Sequence, residues 1–151
     1  MGKKMMVWIV SVMMVLSVSA AALAQQPKPP EQPQAVKDML AKAKASLKTA
    51  STDEVKAVTE KKSKAVLLDV RTTGEYAAGH LPGAVNVDRG LLEFNVWNVL
   101  KDQNADIIVY CKTGARATLA TKTLMDLGYK NVRLADIHYE PWVKAGNPVE
   151  R

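Results

Sequence analysis

An apolar run that ends abruptly at a cysteine constrains this chain more than any other feature. Ile107, Ile108, Val109 and Tyr110 follow Asp106 as a short β-branched-rich stretch, the pattern of a buried strand. Cys111-Lys112-Thr113-Gly114-Ala115-Arg116 comes next, and Ala117 to Leu127 then recur at helical period up to Gly128. The chain's single cysteine therefore falls in a strand-to-helix turn. Gly114 allows the turn to curl, so the backbone N–H groups of Lys112 to Arg116 are expected to converge on the sulfur as a nest of donors. The helix dipole and the charges of Lys112 and Arg116 act in the same direction. Together they predict a thiol more acidic than the free value of about 8.5. Such a loop suits a nucleophile that attacks, or carries, something anionic.

Strand-like and helix-like stretches alternate along the rest of the chain. Strands are expected at Ala65 to Val70, Val85 to Val87 and Val132 to Ala135, besides Asp106 to Tyr110. Helices are expected after a Ser51 or Thr52 cap, from Thr72 or Thr73 to Ala78, over Leu91 to Leu100 with Phe94 and Trp97, and over Tyr139 to Lys144. Alternation of this kind predicts an α/β fold with a largely parallel sheet, in which ligands bind off the carboxyl ends of the strands. Cys111 lies at one such end.

The N-terminal third has a different logic. Lys3 and Lys4 precede an uncharged apolar stretch from Met5 to Ala21, and Ala22-Leu23-Ala24 forms a small-x-small site before Gln25. Residues 1–24 are therefore expected to be a secretory signal peptide, placing the protein in the periplasm or otherwise outside the cytoplasm. Residues 25–34 carry Pro27, Pro29, Pro30 and Pro33 among glutamines, as an extended linker would. Residues 35–50 are Ala/Lys-rich and expected to form a helical extension, with Val36, Met39, Leu40, Ala43 and Leu47 on one stripe. Residues 51–151 would form the domain proper.

Composition bears mainly on what is excluded. The net charge of +6 includes no clustered arginine run and no aromatic interleaving, so it does not indicate nucleic-acid binding. Contact with a membrane is expected only through the signal segment, were it retained. An exported compartment permits disulfides, but one cysteine cannot form one within the chain. Its place in the loop favours a reactive thiol. The two histidines and one cysteine show no metal-ligand spacing, and no cofactor is indicated.

Three ordered segments resemble the rhodanese family of sulfurtransferases. They are Val66-Leu67-Leu68-Asp69-Val70-Arg71, the stretch from Glu75 through Gly79-His80-Leu81-Pro82-Gly83-Ala84 to Val87, and the Cys111–Arg116 loop. Trp142 with Ala145-Gly146-Asn147-Pro148-Val149 resembles the family's C-terminal end. The resemblance, over roughly Thr52 to Val149, implies a three-layer domain with a small sheet flanked by helices. It also implies that Cys111 takes the outer sulfur of a thiosulfate-like donor as a persulfide and passes it to a thiol or cyanide-like acceptor, with a partner protein as another possible recipient. Lys112, Thr113, Gly114, Ala115 and Arg116 would bind the anionic donor. Two alternatives stand beside this: a non-catalytic sulfur carrier, and a phosphatase or arsenate reductase on the same fold. Those phosphoryl-handling relatives carry one more residue between cysteine and arginine than the four found here, so the loop resembles the sulfurtransferase type.

Asp69, Arg71 and His80 are expected to be structural supports. Asp69 ends a buried strand, Arg71 is expected to bridge carboxylates such as Glu75, and His80 is expected to pin a turn. Arg89 and Glu93 are candidates for the active-site mouth. One departure from the family pattern stands out: Ile137 and His138 occupy the place of a frequent Gly-Gly pair, which leaves the shape of one active-site wall, and whether His138 approaches the cysteine, open.

Overall fold

The computed structural model describes residues 31–151. The expected signal segment and most of the Pro/Gln-rich linker lie outside them. In chain order the elements are α1 (Gln34–Ala45), β1 (Lys48–Ala50), α2 (Thr52–Thr59), β2 (Val66–Asp69), α3 (Thr73–Ala78), β3 (Val85–Asn86), a 3-10 turn (Arg89–Leu91), α4 (Leu92–Val99), β4 (Asp106–Tyr110), α5 (Ala115–Asp126), β5 (Asn131–Ala135) and α6 (Tyr139–Lys144).

The five strands form one sheet in the order β1-β5-β4-β2-β3, with every pairing parallel. Thr49, Leu134, Val109, Leu68 and Val85 stand in one row across it. Side chains alternate between its faces, as the period of two requires. Leu68, Ile107, Val109 and Leu134 join α4 and α5 in one core through Leu92, Val96, Ala117, Ala120 and Leu124. Leu67, Ile108, Tyr110 and Ala135 join α2 and α6 in the other through Val55 and Trp142. The result is the expected three-layer α/β arrangement, and its two-sided burial explains why β4 reads as a continuous apolar run rather than an alternating one.

Local chemistry sets the element ends. Ser51 and Thr72 each cap a helix in a reciprocal box, with Glu54 and Glu75 three residues on. Gly128, at φ +93°, closes α5 in a conformation that glycine adopts without penalty. In α4 the buried residues are Leu92 and Val96, while Phe94 and Trp97 face outward.

The expected helical extension over residues 35–50 needs correction at its end. The helix stops at Ala45, and Lys48–Ala50 is an edge strand paired with β5. The sheet thus begins before residue 51, and Pro33–Arg151 is one compact unit.

Connections leave β2 toward β3 and β4 toward β5, in opposite directions along the sheet. The carboxyl ends of β2 and β4 are therefore a topological switch point, where open α/β sheets form a crevice. Asp69 and Cys111 lie there.

Candidate active site

The buried strand β4 delivers Cys111, which is only 1% exposed. The backbone then turns back through Gly114, at φ +118°, and α5 begins at the next residue. This turn brings the Gly114 N–H to 3.1 Å and the Ala117 N–H to 3.4 Å from Sγ. Both are backbone donors at a helix start, where N–H groups have no partner within the helix and the dipole favours negative charge. The expected nest of donors from Lys112 to Arg116 is thus corrected in its membership. Gly114 belongs to it, and Ala117, outside the expected stretch, joins it. The signal for Ala117 was its place in the first turn of α5.

Contacts from α6 shape the loop from outside. The amides of Tyr139 and Glu140 donate to the carbonyls of Cys111 and Lys112, at 2.9 and 3.2 Å. These bonds tie the start of the loop to the first turn of α6. His138, just before α6, packs against Gly114: a Cβ on that glycine would lie 2.7 Å from the imidazole Nε2. His138 therefore does stand beside the cysteine loop, which answers the question left by the missing Gly-Gly pair. Its Nδ1 is buried and has no hydrogen-bond partner among the described residues. Burial, and secondarily the charge of Lys44, push its pKa below the ordinary 6.5, while Asp136 acts in the opposite sense.

The loop's two cations are engaged by carboxylates. Arg116 donates to both oxygens of Glu75, at 2.6 and 2.9 Å. Lys112 pairs with Glu140 at 3.2 Å on the surface. Thr113 and Ala115 line a cavity that they share with α1, β1 and the end of β5. The hydrogen bond from Arg116, against a smaller opposing effect of burial, holds the Glu75 carboxyl down at about 2.

The expectation that Arg71 bridges Glu75 is corrected. Arg71 and Asp69 pair with each other, with Nη2 to Oδ2 at 2.7 Å and exposures of 2% and 0%. Arg71 also donates to the Gly79 carbonyl at 2.7 Å, and its guanidinium lies 3.8 Å from the Tyr139 ring centroid. It therefore ties the end of β2 to the turn after α3 and to α6. His80 stacks on Tyr76 at 3.8 Å, sets Nδ1 3.0 Å from the Tyr76 carbonyl and exchanges backbone hydrogen bonds with Glu150.

Arg89 and Glu93 do not line the mouth of the loop. They pair with each other, and Arg89 faces a cleft whose lining includes none of residues 111–116. Among the described residues, no group of three or more His, Cys, Asp or Glu side chains is placed to hold a metal ion.

Residues 51–145 match the Rhodanese-like domain family. The chain belongs to the rhodanese family. A sulfurtransferase of Allochromatium vinosum is 32% identical over 84 residues, covering 56% of this chain and 77% of that protein. A human single-domain sulfurtransferase has a similar structure, with TM-score 0.57 and 27% identity, covering 64% of this chain and 95% of the human one. A Rhodopseudomonas palustris protein of unknown function, described as a possible tyrosine phosphatase, has TM-score 0.65 and 28% identity, covering 83% of this chain and all of that one. Other curated relatives are longer: this rhodanese-family chain spans 60% of one and 35% of another.

Proposed function

We propose that the protein is a sulfurtransferase that carries a sulfane sulfur on Cys111. The observation that supports this reading is the sulfur itself. It is recessed at the base of a four-residue loop, with two backbone N–H groups aimed at it from the start of α5. Such donors stabilise negative charge on sulfur, and the recess admits a slender terminal atom more readily than a bulky group. In the first step the Cys111 thiolate attacks the outer sulfur of a thiosulfate-like donor. A new S–S bond forms, the donor's S–S bond breaks, and sulfite departs with the electron pair. In the second step a nucleophilic acceptor attacks the outer sulfur of the persulfide, and Cys111 leaves as thiolate. With cyanide as acceptor the product is thiocyanate.

Gly114 and Ala117 stabilise the sulfur through their amides. Arg116 contributes positive charge tempered by Glu75, and Lys112 a surface charge tempered by Glu140. Asp69, Arg71 and His80 hold the framework around the loop. The proposal includes export, supported by the Lys3-Lys4, apolar and Ala22-Leu23-Ala24 pattern. Among the described residues no helix is long and apolar enough to cross a membrane.

Intact mass spectrometry tests the mechanism. Thiosulfate should add one sulfur to the wild type and none to Cys111→Ser, and cyanide should remove it with formation of thiocyanate. No mass gain would overturn the proposal. A gain that cyanide does not remove would make the protein a carrier.

A further inference from the structure

Beside the cysteine loop lies a cavity of about 460 Å³, lined by α1, β1, the loop, the first turn of α5 and the end of β5. Its size falls within the range of small-molecule sites, about 300–1,000 Å³. Lys44 of α1, Thr49 of β1, Thr113 of the loop, and Asp136 and His138 of the segment after β5 line it; Lys44, Thr49, Thr113 and Asp136 are solvent-exposed, so the cavity opens to the surface where both charges stand. Neither Lys44 nor Asp136 forms an ion pair or side-chain hydrogen bond with any described residue, although they line the same space. Both charges act on the His138 imidazole, in opposite senses. The cavity thus presents one uncommitted cation and one uncommitted anion near a single side chain. A ligand with only one charge would satisfy one of them and be repelled by the other.

We propose that this cavity binds a small zwitterion of the α-amino-acid class, its carboxylate on Lys44 and its ammonium on Asp136. The loop senses occupancy through His138, whose ring rests on Gly114, the residue whose N–H reaches the Cys111 sulfur. The N-terminal extension acquires a role, because α1 and β1 supply the walls that residues after 51 do not.

Nuclear magnetic resonance on the full chain carrying Cys111→Ser tests the proposal without sulfur transfer, so its failure is distinguishable from failure of the persulfide mechanism. L-Alanine is the probe, with acetate and methylammonium as single-charge controls. L-Alanine should shift the Gly114 amide and His138 ring resonances saturably, and more tightly than either control. Lys44→Gln and Asp136→Asn should each weaken it by about tenfold, the loss of one charge-assisted hydrogen bond. Undisturbed resonances elsewhere in each variant would show that it is folded. No saturable shift with L-alanine would overturn the proposal. Equal binding of acetate, or binding unchanged in both variants, would also overturn it.

Discussion

Arg116 and Glu75 form a two-pronged ion pair between the first turns of α5 and α3, with hydrogen bonds of 2.6 and 2.9 Å. Glu75 also completes the capping box of α3 with Thr72. One carboxylate therefore both caps the start of α3 and neutralises Arg116 in the first turn of α5, so the arginine of the cysteine loop is not a free cation. Removing it would leave an unbalanced anion beside the loop. Arg116→Ala should lower kcat/KM for thiosulfate by about tenfold or more, the worth of a hydrogen bond to a charged group. Adding Glu75→Gln should recover part of that loss, because the repelling charge goes with it. Steady-state kinetics of the two variants check this, and a double variant as slow as the single would exclude repulsion as the cause.

The same pair sets an acid limb in stability. Glu75 titrates at about 2 in the folded protein against an ordinary value of 4.5. An unfolded chain thus takes up the proton first on acidification. The stabilisation is fully present above 4.5 and is lost as the pH falls from there toward 2. Thermal melts between these values should fall less steeply for Glu75→Gln than for the wild type. Parallel slopes would contradict the assignment.

Asp69 and Arg71 are buried together. Breaking such a pair leaves one charge uncompensated, which destabilises by about 3–5 kcal/mol. Arg71→Ala should show a loss of that order in urea titration. Asp69→Leu combined with Arg71→Met should lose less than Arg71→Ala alone. A single-variant loss below about 1 kcal/mol would place the pair with surface ion pairs instead.

Gly114 has two reasons to be glycine: its φ of +118° and the imidazole against its α-carbon. Gly114→Ala should destabilise by about 1–2 kcal/mol from the backbone alone, with a further loss from the clash. In a His138→Ala background only the backbone part should remain. Equal losses in both backgrounds would show that the imidazole moves aside freely.

The apolar N-terminal segment carries a prediction of its own. Protein isolated from its native host should begin at Gln25. A start at Met1 or Gly2, found by N-terminal sequencing, would make the segment a retained anchor.

What was legible beforehand was local. Asp106–Tyr110 announced itself by β-branched residues, and the helix starts were legible to within one residue, at Ser51 or Thr52 and at Thr72 or Thr73, the structure choosing Ser51 and Thr72 as the caps. Cys111 was recognisable because strand, turn and helix adjoin in sequence. What escaped depends on distant partners. Lys48-Thr49-Ala50 carries little strand preference and becomes a strand because β5 offers it an edge. Nothing local tells whether Glu75 belongs to Arg71 or Arg116, since the choice rests on how α3 and α5 approach each other. The side of the loop on which His138 stands is likewise set by the packing of α6.

The pairing of β1 with β5 also fixes where the chain can be cut. A fragment starting at residue 51, where the family likeness begins, would strip β5 of one of its two neighbours and leave it an edge strand on β4. The backbone N–H and C=O groups of Arg133 to Ala135 that point toward β1 would then face solvent as an adhesive border, ready to recruit a strand from another molecule. A fragment starting at Pro33 keeps that border closed. Between two pieces differing by so few residues, the longer one should stay monodisperse and the shorter one should polymerise.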